Sequence, residues 1–111
     1  MSFHQERLEK IIIREVSTIL MNSKDERLRF VIVTNAHLTG DLQIATIYYT
    51  VIGSNEQKES TMKNLEDAKG YVRSSLGKVL KVKKIPELIF KYDESLEYGN
   101  KIESILKGLN K

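Results

Sequence analysis

The sequence predicts an α+β fold in which helices cover one side of a three-stranded mixed sheet. Two kinds of periodicity support this prediction. Some segments repeat apolar residues at intervals of three and four, which is typical of a helix with one buried face. Others alternate apolar and polar residues, which is typical of strands with one face toward a core. In chain order the segments read α-β-β-α-(kink)-α-β-α.

The N-terminal half predicts one helix and an antiparallel hairpin. The helix spans residues 2–21, and Ser2 and Gln5 fit a capping box at its start. Strands follow at residues 29–36 and 43–52, and a Thr39-Gly40-Asp41 turn separates them. The side chains expected to be buried are Leu8, Ile11, Ile12, Val16, Ile19 and Leu20 in the helix, and Ala45, Ile47, Tyr49 and Val51 in the second strand.

The C-terminal half predicts two helices that meet at a break, a third strand and a last helix. Ser54 or Asn55 caps the first of these helices, and Gly70 interrupts it, because glycine in a helix interior costs about 1 kcal/mol relative to alanine. The predicted buried positions are Met62, Leu65 and Ala68 before the break and Val72, Leu76, Val79 and Leu80 after it. A right-handed crossover predicts that the third strand, residues 87–92, lies parallel to the first strand. Pro86 suits the start of an edge strand. Asp93 or Ser95 caps a helix that ends near Leu109.

Length and composition narrow the class of protein. The 111 residues suit one domain, so we expect a single domain over residues 1–111. Because the chain has no cysteine, a disulfide scaffold, a thiolate metal site and a cysteine nucleophile are excluded. Its apolar runs are far shorter than the roughly 20 residues of a membrane span, and the N-terminus has no apolar signal core. We therefore expect a cytoplasmic protein without a membrane partner.

Residues suited to catalysis are few and poorly arranged. His4 and His37 have no metal-binding spacing, and Ser74 and Ser75 lie in a predicted helix without the sharp turn of a nucleophile elbow. No Gly-rich phosphate loop of the GxxxxGK[ST] kind is present. The sequence therefore predicts a protein that is not an enzyme and that uses no metal, cofactor or small-molecule substrate.

The positive charge of the chain is concentrated in one segment. Residues 69–85 hold six basic side chains and no acidic one, whereas the rest of the chain holds 12 basic and 15 acidic residues, a balance of −3. Such a run is most often a solvated helix face. A local basic patch is also what a phosphate backbone attracts. Both interpretations remain open from charge alone.

Two further features of this segment have alternative interpretations. The break at Ala68-Lys69-Gly70 either allows close packing, or begins a helix whose free N–H groups, flanked by Lys69 and Arg73, would bind a phosphate. Gly77 would allow a backbone to approach the same helix closely. Tyr48 and Tyr71 either stack on bases or are partly buried structural aromatics.

Several motifs, taken in order, resemble one family. The residues that carry the resemblance are Asp25-Glu26-Arg27, Asp41-Leu42 with Ala45 and Ile47-Tyr48, Ala68 to Arg73 with Leu76-Gly77, and the run from Pro86 through Leu88, Phe90, Asp93, Ser95 and Gly99 to Ile102. The element order resembles the type II KH fold, and these motifs, with the Ala-x-Gly turn among them, resemble the bacterial ribosome-binding factor A family. Together they extend over nearly the whole chain, from about Arg7 to Leu109.

The resemblance implies a ribosome assembly factor. Such proteins bind the immature small (30S) ribosomal subunit and its 16S rRNA, promote late processing of the precursor, and are linked to growth in the cold. We expect a monomer that binds rRNA, and the alternative is a KH-like adaptor that binds another RNA or an acidic protein. The predicted RNA-binding residues are Ala68, Lys69, Gly70, Arg73, Lys78, Lys81, Lys83 and Lys84, and Lys10 or Arg14 would extend the patch.

Overall fold

The computed structural model describes residues 3–80 and 82–95. Its elements are helix α1 (Phe3–Met21), a 3-10 helix (Glu26–Phe30), strands β1 (Val31–Leu38) and β2 (Ile44–Val51), helix α2 (Asn55–Val79) and strand β3 (Glu87–Tyr92). This is the α+β architecture that the sequence predicts. The first strand begins later than predicted, because Arg29 and Phe30 belong to the 3-10 helix. The part of the predicted last helix that follows Ser95 lies outside the described residues.

The strands form a mixed sheet in the order β1-β2-β3. β1 and β2 form the predicted antiparallel hairpin, and β3 pairs with β2 in parallel. The prediction that the third strand lies parallel to the first is therefore wrong. The crossover rule applies to the two strands that the crossover joins, and α2 joins β2 to β3. Pro86 precedes a strand at the edge of the sheet, where its missing N–H costs nothing.

One face of the sheet and one face of α1 form most of the core. In α1 the buried side chains recur every fourth residue, and in β2 every second residue, as the two periodicities predict. Full burial of one such aliphatic side chain contributes about 1.5–3 kcal/mol relative to leaving it exposed. The α1 residues of this core are Leu8, Ile12, Val16 and Leu20, and the β2 residues are Ala45, Ile47, Tyr49 and Val51. Ile11 and Ile19 are only partly buried.

Two polar side chains of α1 fix the helix to the end of β1. The side-chain amide of Gln5 donates to the carbonyl oxygen of Leu38 at 2.6 Å. The carboxylate of Glu9 accepts the N–H of the same residue at 2.7 Å. Both backbone groups of Leu38 are thus satisfied where the hairpin turn begins, which sets the position of α1 along the sheet.

α2 runs without a break through Gly70, so the prediction of two helices meeting at Ala68-Lys69-Gly70 is wrong. The helix begins with a full capping box between Ser54 and Gln57. A Cβ atom at Gly70 would have no neighbour within 4 Å among the described atoms, so nothing packs against this position. The cost of glycine, about 1 kcal/mol, is smaller than the gain from burying Val72 and Leu76 further along the same helix.

Two predicted core positions of α2 are also wrong. Met62 is 51% exposed and Val79 is 50% exposed, whereas Thr61 is buried. The buried residues that follow Thr61 are Leu65, Val72 and Leu76. A straight helix keeps one rotation along its length, and this set places Met62 toward its side. Val79 shares the face of Val72, seven residues earlier, but it is the last residue of the helix.

The segment before β3 is tied to α2 by one arginine and one glycine. The guanidinium of Arg73 donates from Nε to the carbonyl oxygen of Pro86 at 3.2 Å and from Nη2 to that of Ile85 at 3.0 Å. A Cβ atom at Gly77 would lie 3.2 Å from Cγ1 of Ile85, so the glycine makes room for this side chain and not for the backbone that the sequence predicts there. These contacts fix where β3 enters the sheet.

Replacing Gly70 by alanine should raise the free energy of unfolding by about 0.5–1 kcal/mol, because a solvent-facing position inside a continuous helix gains propensity without a clash. Urea denaturation followed by circular dichroism measures this change. Gly53→Ala is the matched control. It should be destabilising, since Gly53 has φ +157° and an added Cβ would collide with Gln57. A loss of stability in Gly70→Ala would contradict a continuous α2.

Replacing Arg73 by alanine should lower the free energy of unfolding by about 1–2 kcal/mol, because two backbone carbonyls lose a charged donor. Lys83→Ala serves as the control: this exposed lysine should change stability by less than about 0.5 kcal/mol. Thermal melts of the two variants and the parent protein make the comparison. Equal melting temperatures for all three would show that Arg73 is not a structural tether.

Candidate nucleic-acid interface

Three of the predicted cations are exposed at the C-terminal end of α2 and in the segment after it. Lys78 lies in the last turn of the helix, and Lys83 and Lys84 lie in the segment that leads to β3. Within the described part of the chain, none of the three makes an ion pair with an acidic side chain. We call Lys78, Lys83 and Lys84 the basic patch. Lys81, which the sequence places in the same surface, lies outside the described residues.

Lys69 and Arg73 differ from the basic patch because their charged groups already have partners. Nζ of Lys69 lies 3.0 Å from a carboxylate oxygen of Glu66, one helical turn earlier. The Arg73 guanidinium is occupied by the carbonyl oxygens before β3. A surface ion pair contributes at most about 1 kcal/mol, so Lys69 can exchange Glu66 for a phosphate, whereas Arg73 would have to release a structural tether.

The predicted phosphate site at a helix N-terminus near Lys69 does not exist. Because α2 is continuous, the N–H groups around Ala68 and Gly70 lie inside a helix, where they are bonded to carbonyl groups one turn earlier. The true N-terminus of α2 is capped by Ser54 and carries Glu56 in its first turn. Phosphate binding on this helix therefore depends on its side chains.

A shallow recess lies beside the basic patch. Arg73 and Lys84 line it together with Gln43, and Glu87 stands on its rim; its volume is about 340 Å³. The two cations give the recess positive charge, and Glu87 adds one negative charge to its lining. The recess extends the basic patch from the helix to the start of β3.

The proposed extension on α1 is also exposed. Lys10 and Arg14 line a recess with Arg7 and Glu6. Nη2 of Arg14 lies 3.5 Å from a carboxylate oxygen of Glu15, and 71% of the arginine side chain is exposed. These residues add positive charge to the outer side of α1, with acidic neighbours among them.

Of the two aromatic candidates, Tyr71 has the more accessible ring. It is 52% exposed on α2, and Tyr48 is half-buried on the central strand. Tyr71 lies exactly seven residues before Lys78, which places both side chains on one face of the helix two turns apart. The stacking interpretation therefore applies better to Tyr71 than to Tyr48.

The sequence did not single out the Asp25–Arg27 pair as part of a surface. Asp25 caps the 3-10 helix by accepting the Arg27 N–H, and it also accepts Nε and Nη2 of the same guanidinium at 2.9 Å. These hydrogen bonds from Arg27 hold the pKa of Asp25 below its usual range. The Asp-x-Arg spacing indicates the cap of the 3-10 helix. Only the fold shows that α2 packs beside this cap.

Other chemistry has little basis in the described residues. Within residues 3–80 and 82–95 no three His, Cys, Asp or Glu side chains come together in a way that could hold a metal ion. His37 lies 3.6 Å from Glu9, which is itself occupied by the end of β1. In the same part of the chain no helix is long and apolar enough to cross a membrane. The basic patch, in contrast, is a surface that can attract phosphate groups.

Comparisons of the sequence and of the structure with known proteins find the same family. The sequence model of the ribosome-binding factor A family matches residues 4–106. The ribosome-binding factor A of Staphylococcus saprophyticus is 46% identical over 112 residues, which cover 100% of this chain and 98% of that protein. The crystal structure of ribosome-binding factor A from Thermus thermophilus superposes with a TM-score of 0.71 at 19% identity, covering 79% of this chain and 94% of the other.

A second set of coordinates is similar in fold. It is a homology model of the Thermus thermophilus ribosome binding factor A, fitted into the cryo-EM map of a 30S complex of that protein. The TM-score is 0.67 at 19% identity, covering 79% of this chain and 93% of the other. The family match extends over most of the chain, and the sequence identity to a full-length relative is high: the chain belongs to the ribosome-binding factor A family.

Proposed function

We propose that this protein is a cytoplasmic assembly factor that binds the immature small ribosomal subunit and its 16S rRNA. In this proposal it acts as a single-domain monomer and promotes late maturation and processing of precursor 16S rRNA without catalysing a reaction itself. The observation that carries the proposal is the basic patch, Lys78, Lys83 and Lys84, which is exposed and free of acidic partners within the described residues. Lys81 and Lys69 would add to it.

The chemistry of the basic patch favours a polyanion. Each lysine that neutralises a phosphate releases condensed counterions, so the affinity of such a surface falls steeply as salt increases. Phosphate contacts position a protein on RNA without reading its sequence. A factor that recognises one stage of subunit assembly can therefore depend on the shape of the rRNA, with the basic patch supplying affinity.

Family membership supports the choice of rRNA as the polyanion. The Thermus thermophilus family member has been fitted into the map of a 30S complex. At 19% identity that structure supports the shared fold. We propose the small subunit as the target of this chain because the chain is 46% identical to a ribosome-binding factor A. The proposed role in maturation and processing is what the family resemblance implies.

Reversing two charges of the basic patch should remove the protein from small subunits. In sucrose gradients the parent protein should sediment with free 30S particles and their precursors, and not with 70S ribosomes. The double variant Lys78→Glu with Lys84→Glu should stay at the top of the gradient. In binding titrations of the corresponding alanine variants, the slope of log affinity against log salt should fall by about 1 for each lysine.

Lys91→Glu is the matched control, because Lys91 is an exposed lysine on β3, at a distance along the strand from the basic patch. It should sediment as the parent protein does. Equal co-sedimentation of the double variant and the parent would contradict the assignment of the site. Parent protein that binds an acidic protein after nuclease treatment, and no 30S particle before it, would contradict the proposed function.

A further inference from the structure

A groove runs between the 3-10 helix and the outer side of α2. It consists of two cavities of about 520 and 290 Å³ that share Arg27 and Asn64 in their walls. The larger cavity lies in the size range of small-ligand sites, about 300–1,000 Å³. Both cavities are open to solvent, and they adjoin at Arg27 and Asn64.

Each cavity has an exposed aromatic ring. Tyr71 lines the larger cavity and is 52% exposed. Phe30 lines the smaller cavity and is 67% exposed, beside Ile52, which is 77% exposed. A phenylalanine and an isoleucine left in water next to each other are typical of a surface that contacts a ligand or partner.

The groove leads into the basic patch. Asn64, Tyr71 and Lys78 are spaced seven residues apart on α2, so they lie on one stripe of the helix, about 10.5 Å from one to the next. Asn64 is shared by both cavities, Tyr71 lines the larger one, and Lys78 belongs to the basic patch. A ligand that follows this stripe passes from cationic side chains to aromatic ones.

The charges that face the larger cavity balance. Lys24 and Arg27 are positive, and Asp25 and Asp67 are negative. The guanidinium of Arg27 donates two hydrogen bonds to the carboxylate of Asp25, which hold it in a fixed plane, and 68% of the arginine side chain remains exposed. Such a cavity does not concentrate phosphate, whereas flat neutral groups can stack on the tyrosine ring and on the guanidinium. The amide of Asn64 can donate to and accept from the edge of such a group.

We propose that this groove holds unpaired nucleotides of the bound rRNA, with one base stacked on Tyr71 and another on Phe30. The strand continues along α2, and its phosphates contact Lys78. Aromatic rings that alternate with amide and guanidinium groups, at the end of a basic surface, match the requirements of single-stranded RNA. This proposal rests on the proposed function and adds to it the form of RNA that the protein selects.

The test uses fluorescence anisotropy with the full chain and a labelled oligouridine, alone and annealed to its complement. Tyr71→Leu and Phe30→Leu should each weaken single-strand binding about tenfold, because a base loses its aromatic partner. Tyr71→Phe keeps the ring and should bind as the parent does. Neither leucine variant should alter the salt dependence of binding, in contrast to changes in the basic patch. Both side chains are exposed, so circular dichroism should show folded variants.

Three results would overturn the proposal. The leucine variants could bind oligouridine as tightly as the parent. They could lose affinity for the duplex as much as for the single strand. They could also lose affinity for small subunits and keep their affinity for oligouridine, which would indicate that the groove contacts a protein of the subunit. Failure of the proposed function differs from all three, because the parent itself would then bind no small subunits.

Discussion

The burial of Leu65, Val72 and Leu76 in the core shared with α1 and the sheet fixes the rotation of α2 about its own axis. Each of these side chains is fully buried, so a turn of the helix by even one residue would expose them and bring polar groups into the core. The rest of the surface of α2 follows from this constraint. Gly70 lies at a solvent-facing position and leaves the helix continuous on either side of it.

The fixed rotation of α2 also places a cationic side chain and an aromatic ring at different points along one stripe of the helix. Lys78 comes last on the stripe and faces solvent near Lys83 and Lys84, and Tyr71 comes two turns earlier beside the 3-10 helix. Arg73 lies between them in sequence but points to the segment before β3, where it supports the fold. A phosphate surface and an aromatic groove can therefore adjoin on one helix without competing for the same residues.

Sequence periodicity predicted those features that depend on local pattern. The buried faces of α1 and β2 follow from intervals of four and two residues, the hairpin from its short turn, and the edge position of β3 from Pro86. The break at Gly70, the burial of Met62 and the partner of the third strand were predicted wrongly, because each depends on packing between distant segments. The carbonyl partners of Arg73 and the groove beside Arg27 likewise exist only after α2 has packed.

The central claim is that the outer stripe of α2 faces rRNA in the bound state. Photo-crosslinking from a benzoylphenylalanine at position 71 or 78, with purified small-subunit precursors, tests this most directly. Position 37 on the outer face of the sheet provides the comparison, because its neighbours Ala36 and Leu38 are buried and His37 is exposed. The account predicts cross-links to 16S rRNA from positions 71 and 78 and none from position 37. Cross-links from position 37 alone would contradict it.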